Sequence, residues 1–237
     1  MRKEHLEELK GYLEELKTIS KRNVSKEESF GDRIVLKDGV KYISLDDIEK
    51  GQFVTTEKYV CTLNNGEEIF REKIKKAKKD GSAVVIIPVT DKNEVIVTVE
   101  PRVFTESTVG IGFPAGYIED GEEPYVAALR ELQEEVGCVP KYLIELARYY
   151  QDEGISAAKN VAYLALGCTE GHEKNPDPGE FIRYAKCGFK EVIELQEAGL
   201  IEGANPIIAI EKSKPYFNSR GKVKKIKLKF DKNKIEI

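Results

Sequence analysis

Residues 116–138 read GYIEDGEEPYVAALRELQEEVGC, a stretch in which seven acidic residues surround a single arginine, Arg130. Like charges at helical spacing repel, so an ordinary solvent-facing helix intersperses lysines. Pro124 suits a first turn, Glu122 and Glu123 complement the positive end, and Gly137 suits the exit, which predicts a helix from about Glu123 to Val136. At about 100° per residue, Ala128, Leu129, Leu132 and Val136 share one arc, while Glu131, Glu134 and Glu135 fall on the adjoining one. One face is then core and its neighbour a half-exposed carboxylate cluster that Arg130 cannot neutralise alone. Clustered oxygen ligands suit Mg²⁺ or Mn²⁺, and magnesium usually brings substrate phosphates with it. The competing reading is an acidic solvent face with i, i+4 pairing.

Outward from this helix, AVVIIPV (83–89) and EVIVTVE (94–100) read as two strong strands joined by TDKN, and YLIELARYY (142–150) and NVAYLALGC (160–168) as two more. Strands surrounding helices without regular βαβ alternation predict a mixed sheet with helices packed on it. FKEVIELQEAGL (189–200) reads as a helix, and Asn205 with Pro206 as the cap and first turn of another through Ser213. Upstream, YVCTLNNGEEIFREKI (59–74) carries the hairpin signal Asn65-Gly66, and RIVLKDGVKYISL (33–45) adds short strand patterns. Leu6, Leu9, Leu13 and Leu16 mark an amphipathic N-terminal helix, whose stripe packs on its own subunit or on a second one. The expected organisation is a helix and linker over 1–32, a small antiparallel β domain over 33–80, the main α+β domain over 81–217 and a lysine-rich hairpin over 218–237.

The 237 residues are 41% hydrophobic and 34% charged with a net charge of −4, enough for a sizeable core and no basis for a nucleic-acid binder. No apolar run approaches the roughly 20 residues of a membrane helix and the first residues are charged, so the expectation is a cytoplasmic protein without membrane association. Cys61, Cys138, Cys168 and Cys187 form no CxxC pair and read as small buried apolar residues. Two histidines, His5 and His172, leave little material for histidine chemistry, so catalysis is expected to run on carboxylates.

The acidic stretch also fits G-x5-E-x7-R-E-U-x-E-E-x-G-U through Gly116, Glu122, Arg130, Glu131, Leu132, Glu134, Glu135, Gly137 and Cys138, and in this it resembles the Nudix box of the Nudix hydrolases. The resemblance implies an α/β/α sandwich around a mixed sheet and cleavage of a nucleoside diphosphate linked to another group, assisted by Mg²⁺ or Mn²⁺. It implies that Glu131 and Glu135 are the principal metal ligands, Glu134 a further ligand or water-activating group, and Glu122 the partner of Arg130.

REKI (71–74), AVVIIPV, EPR (100–102) and FPAG (113–116) are similar to the ADP-ribose pyrophosphatase group over roughly Tyr59 to Phe217. The SQPWPFPxS array of NADH pyrophosphatases is not present. That likeness implies a phosphate contact for Arg102, positions near the cleft for Arg71 and Glu72, a metal-shell carbonyl at Ala115, and a homodimer. In that group the loop after the strand following the box often carries a glutamate. Aligned on Gly154 and Ser156, this chain has Ala157 there, with Asp152 and Glu153 just before. Either one of those acids replaces it, or Glu134 supplies the base, or the substrate is not ADP-ribose. A Nudix fold used for nucleotide sensing without turnover is the alternative from another class.

Overall fold

The computed structural model describes residues 53–62, 65–76, 80–102, 104–176, 180–224 and 234–237. The expected N-terminal helix, the strands of 33–45 and residues 225–233 of the C-terminal hairpin lie outside the described residues. The elements are β1 (Val54–Thr62), β2 (Glu68–Lys76), β3 (Ala83–Thr90), β4 (Val95–Pro101), β5 (Val109–Gly112), β6 (Ala115–Tyr117), α1 (Pro124–Val136), β7 (Tyr142–Tyr150), β8 (Lys159–Cys168), β9 (Arg183–Cys187), α2 (Phe189–Glu197), α3 (Ala204–Ser213) and β10 (Lys234–Glu236).

β3 explains the architecture. A strand buried on both faces reads as a continuous apolar run rather than an alternating one, and all of Val84 to Thr90 is buried. Its even residues Val84 and Ile86 enter one core with Ala128, Leu132 and Val136 of α1. Its odd residues Val85, Ile87 and Val89 enter another with Val192, Leu195, Ala209 and Ile210 of α2 and α3. β8 divides in the same way, with Tyr163 on the α1 side and Leu164 on the other. Helices thus cover both faces of one sheet, the α/β/α sandwich expected. Leu132 is fully buried at the centre of the α1 side. Leu132→Ala is expected to lower unfolding stability by about 2–5 kcal/mol in denaturant titration, through lost transfer energy and an unfilled cavity.

The sheet runs β10-β7-β8-β3-β4-β5, with β6 on β3 and β9 on β4, and it is mixed because β3 and β8 run parallel. The register of β3 and β4 includes Val89↔Val95, beside their turn. Away from the turn β6 takes the place beside β3, while β5 and β9 pair with β4. The two strands therefore part, and the cleft described below lies where they diverge. No helix among the described residues is long and apolar enough to cross a membrane.

Several local readings differ. Asn205 does not open α3: Gly203 is the N-cap, and the Asn205 side chain is drawn into hydrogen bonds with Tyr149 and Asn160. Ala127 is buried on α1, where it packs in the core with Val84 and Ile86 of β3, whereas Leu129, expected on the core arc, is only partly buried. Cys61 is exposed on β1, whereas the other three cysteines are buried. Residues 234–236 extend the main sheet by pairing with β7.

Candidate active site

α1 begins after Glu123, whose backbone is extended, and ends at Gly137, whose φ of 65° lets its N–H reach back to the last turn. Arg130 is the hub of the acidic stretch. Its Nε and Nη2 donate to the two oxygens of Glu122 at 3.0 and 3.1 Å, and Nη2 also donates to the Tyr117 carbonyl at 3.0 Å. Nη1 donates to Glu131 at 2.8 Å and to Glu134 at 3.0 Å. Glu122 further accepts from the Glu119 N–H at 2.9 Å, so loop and helix are clamped together.

The cluster is more buried than the helical wheel implied. Glu131 and Glu135 are 7% and 6% exposed, because α1 lies flat on the sheet and its acidic arc looks inward along the β6 edge. Burial pushes the Glu131 carboxyl up to about 7, against the pull of Arg130. Burial likewise raises Glu135 to about 9, helped by the charges of Glu100, Glu131 and Glu180 and opposed by a backbone hydrogen bond from Ala115. Glu100 is also raised by burial, with Arg102 pulling the other way. Carboxylates raised by one another and by desolvation, with hard oxygen donors and a backbone group beside them, form a donor set that suits Mg²⁺ or Mn²⁺. Among the described residues no three acidic, histidine or cysteine side chains converge as a preformed cage, and Arg130 instead holds Glu131 and Glu134.

Ala115 and Gly116 stand where the cluster meets a cleft of about 520 Å³, which Glu100, Arg102, Tyr117 and Asn205 also line. Arg102 bonds Glu100, and its stem lies over Gly110, whose missing side chain leaves the room. The structure thus brings together Arg102, Ala115, Gly116, Glu131, Glu134, Glu135, Arg130 and Glu122. Arg71 and Glu72 sit on the exposed β2 and are not among the residues lining this cleft. Arg71 bonds the Phe70 carbonyl and Glu72 faces Lys58 across the ribbon. Glu153 and Ala157 are exposed in the segment between β7 and β8.

Sequence reasoning missed two acids. Glu100 was visible in EPR beside Arg102, where only the arginine was singled out. Glu180 lies in the polar 169–182 segment, with no motif to mark it. That segment is pinned to the end of α1, His172 N–H donating to the Gly137 carbonyl and Asn175 N–H to the Glu134 carbonyl, both at 3.2 Å. Its far end runs into β9, so Glu180 is carried close enough for its charge to act on Glu100, Glu131 and Glu135.

Comparison with known proteins agrees with this geometry. The sequence model of the NUDIX domain matches residues 79–209. The chain is 27% identical over 197 residues to the ADP-ribose pyrophosphatase of Bacillus subtilis, covering 83% of this chain and 94% of that protein. It is 34% identical over 165 residues to the ADP-sugar pyrophosphatase of Mus musculus, covering 65% and 72%. A crystal structure of an ADP compounds hydrolase superposes with a TM-score of 0.62 at 23% identity, over 80% of this chain and 96% of that one, a likeness of fold.

Proposed function

This chain belongs to the Nudix hydrolase family, and from that premise we propose that it hydrolyses the pyrophosphate of ADP-ribose or a related nucleoside diphosphate sugar to a nucleoside monophosphate and a sugar phosphate. The observation that carries the reading is the buried pair Glu131 and Glu135, whose charges act on one another and on Glu100, beside a cleft of about 520 Å³ that Glu100, Ala115 and Gly116 line, within the range of small-molecule sites. The names of the two pyrophosphatase relatives point to the same chemistry.

In this reading Glu131 and Glu135 hold Mg²⁺ or Mn²⁺, with Glu134 and the Ala115 carbonyl beside them. A bound divalent cation supplies neutralisation of pyrophosphate charge and acidification of water. Arg102, steadied by Glu100, binds a phosphate oxygen. Arg130 and Glu122 position the helix against the cleft wall. Glu180 receives the proton of the attacking water. It is preferred to Glu153 because its charge acts on the cluster.

Purified protein with Mg²⁺ or Mn²⁺ is expected to release AMP and ribose 5-phosphate from ADP-ribose. Glu180→Gln is expected to lower kcat by about 10²–10⁴ with an unchanged melting temperature. A panel of nucleoside diphosphate sugars left intact by the wild-type protein would sink the proposal.

We also propose a homodimer in a reducing, cytoplasmic compartment. β1 and β2 form a two-stranded ribbon joined to the main sheet's surroundings through an Ile74–Ser156 bridge, with Phe70 78% exposed and Tyr59 and Val60 beside it, an apolar surface that a second copy would cover. Three buried unpaired cysteines support the compartment. Light scattering after gel filtration is expected to give twice the 26.7 kDa chain mass, and a monomer at micromolar concentration would remove the dimer.

A further inference from the structure

Asn160 is 1% exposed at the start of β8, and its Oδ1 accepts from the Ala83 backbone N–H at 3.0 Å. A backbone N–H is a donor under any assignment, so this bond decides which end of the Asn160 amide is oxygen. Asn160 Nδ2 is then the donor toward Asn205, and it lies 3.1 Å from Asn205 Oδ1. Tyr149 donates its hydroxyl to the same oxygen at 2.9 Å. Both acceptor positions of Asn205 Oδ1 are filled, which settles the orientation of its amide in turn. The Asn205 amino group has no partner among the described residues, and Asn205 lines the cleft. A chain of three fixed amides thus leaves one oriented donor for a ligand.

The chemistry of that donor narrows the ligand. With its oxygen engaged, Asn205 cannot make the paired donor and acceptor contact by which an asparagine reads an adenine edge. Glu202, exposed on the segment leading into α3, lines the same cleft. An amide donor beside a carboxylate acceptor matches sugar hydroxyls, each of which accepts and donates at once. We infer that Asn205 is a specificity-determining residue for the sugar end of the substrate, donating through Nδ2 to a sugar oxygen while Glu202 accepts from a neighbouring hydroxyl. This inference rests on the pyrophosphatase reading above and assigns one end of its substrate to one wall of the cleft.

Asn205→Asp keeps an acceptor for Asn160 and Tyr149 and replaces the cleft-facing amino group by oxygen. With the variant, KM for ADP-ribose is expected to rise by about tenfold or more, with a smaller change in kcat. Inhibition by ribose 5-phosphate is expected to weaken by a similar factor, and inhibition by AMP to stay within about twofold. Glu202→Gln, at an exposed position, is expected to give the same pattern to a lesser degree. If AMP inhibition weakens instead, or both inhibitors move alike, or neither moves, the assignment is overturned. Should thermal unfolding show that Asn205→Asp does not fold, Glu202→Gln decides, and unchanged KM and ribose 5-phosphate inhibition overturn it. Wild-type protein that leaves the whole panel of nucleoside diphosphate sugars intact removes the pyrophosphatase reading itself, whereas cleavage with unaltered variants removes the Asn205 assignment alone.

Discussion

Glu135→Gln is expected to lower kcat by about a thousandfold or more, equivalent to roughly 4 kcal/mol of transition-state stabilisation, without unfolding the protein. Glu135 is buried beside Glu100 and Glu131, and the backbone of Ala115 reaches it with a hydrogen bond. Glutamine has the same shape and still accepts that bond, so packing is conserved while the negative charge is lost. A cation site depends on that charge. Turnover at the wild-type rate would remove Glu135 from the metal-binding set.

The same substitution has an opposite effect on the cation-free fold. In the unfolded chain the Glu135 carboxyl loses its proton near its ordinary value of 4.5, whereas in the fold it holds it to about 9. Between those values the native state binds more protons than the unfolded one, so stability falls as pH rises through the window. In chelator, melting temperature is expected to decline from about pH 5 to pH 9, and to decline less in Glu135→Gln. At a hundredfold excess over its dissociation constant, a divalent cation is expected to restore about 2.7 kcal/mol to the wild type, roughly 5–10 °C in melting temperature, and less to the variant. An identical cation-induced shift in both proteins would contradict the assignment.

What was legible in the sequence follows from how local each signal is. The α1 stretch carries its own start, stop, core arc and acid spacing within 23 residues, so helix and cluster could both be read there. β3 was legible because burial on both faces leaves an unbroken apolar run. Glu180 was not, because it lies far along the chain from the acidic helix and only the fold brings its charge to Glu131 and Glu135. Asn205 misled for a related reason: Asn before Pro is a good helix-opening signal, yet the buried Asn160 of β8, against which α3 packs, competes for the same side chain and wins. The depth of Glu131 and Glu135 was hidden as well. A wheel gives the direction of a residue, and how closely a neighbouring strand approaches depends on that strand's own side chains.

That approach is set at Gly116, and Gly116→Ala is expected to be the more informative variant. Gly116 sits in β6 opposite Val84, on the face that looks toward α1. Its φ is not in the positive range, so alanine meets no backbone penalty there. A Cβ built at this position would lie 1.8 Å from Glu131 Oε1 and 2.1 Å from its Cδ, which no packing tolerates. The clash falls on the end of one side chain, so the carboxylate swings away, gives up its bond to Arg130 Nη1 and leaves the cluster. Losing one charge-assisted hydrogen bond costs about 1.5–3 kcal/mol, partly offset by the 0.4–1 kcal/mol that alanine contributes by restricting the unfolded chain. The melting temperature should therefore drop by only a few degrees. Activity should drop by about 10²–10³, because a ligand displaced by an ångström or more is lost to catalysis as surely as one removed. Near-normal kcat/KM in Gly116→Ala would mean that Glu131 works from a different position, and the close approach of β6 to α1 would then be a packing feature rather than the device that aims this carboxylate.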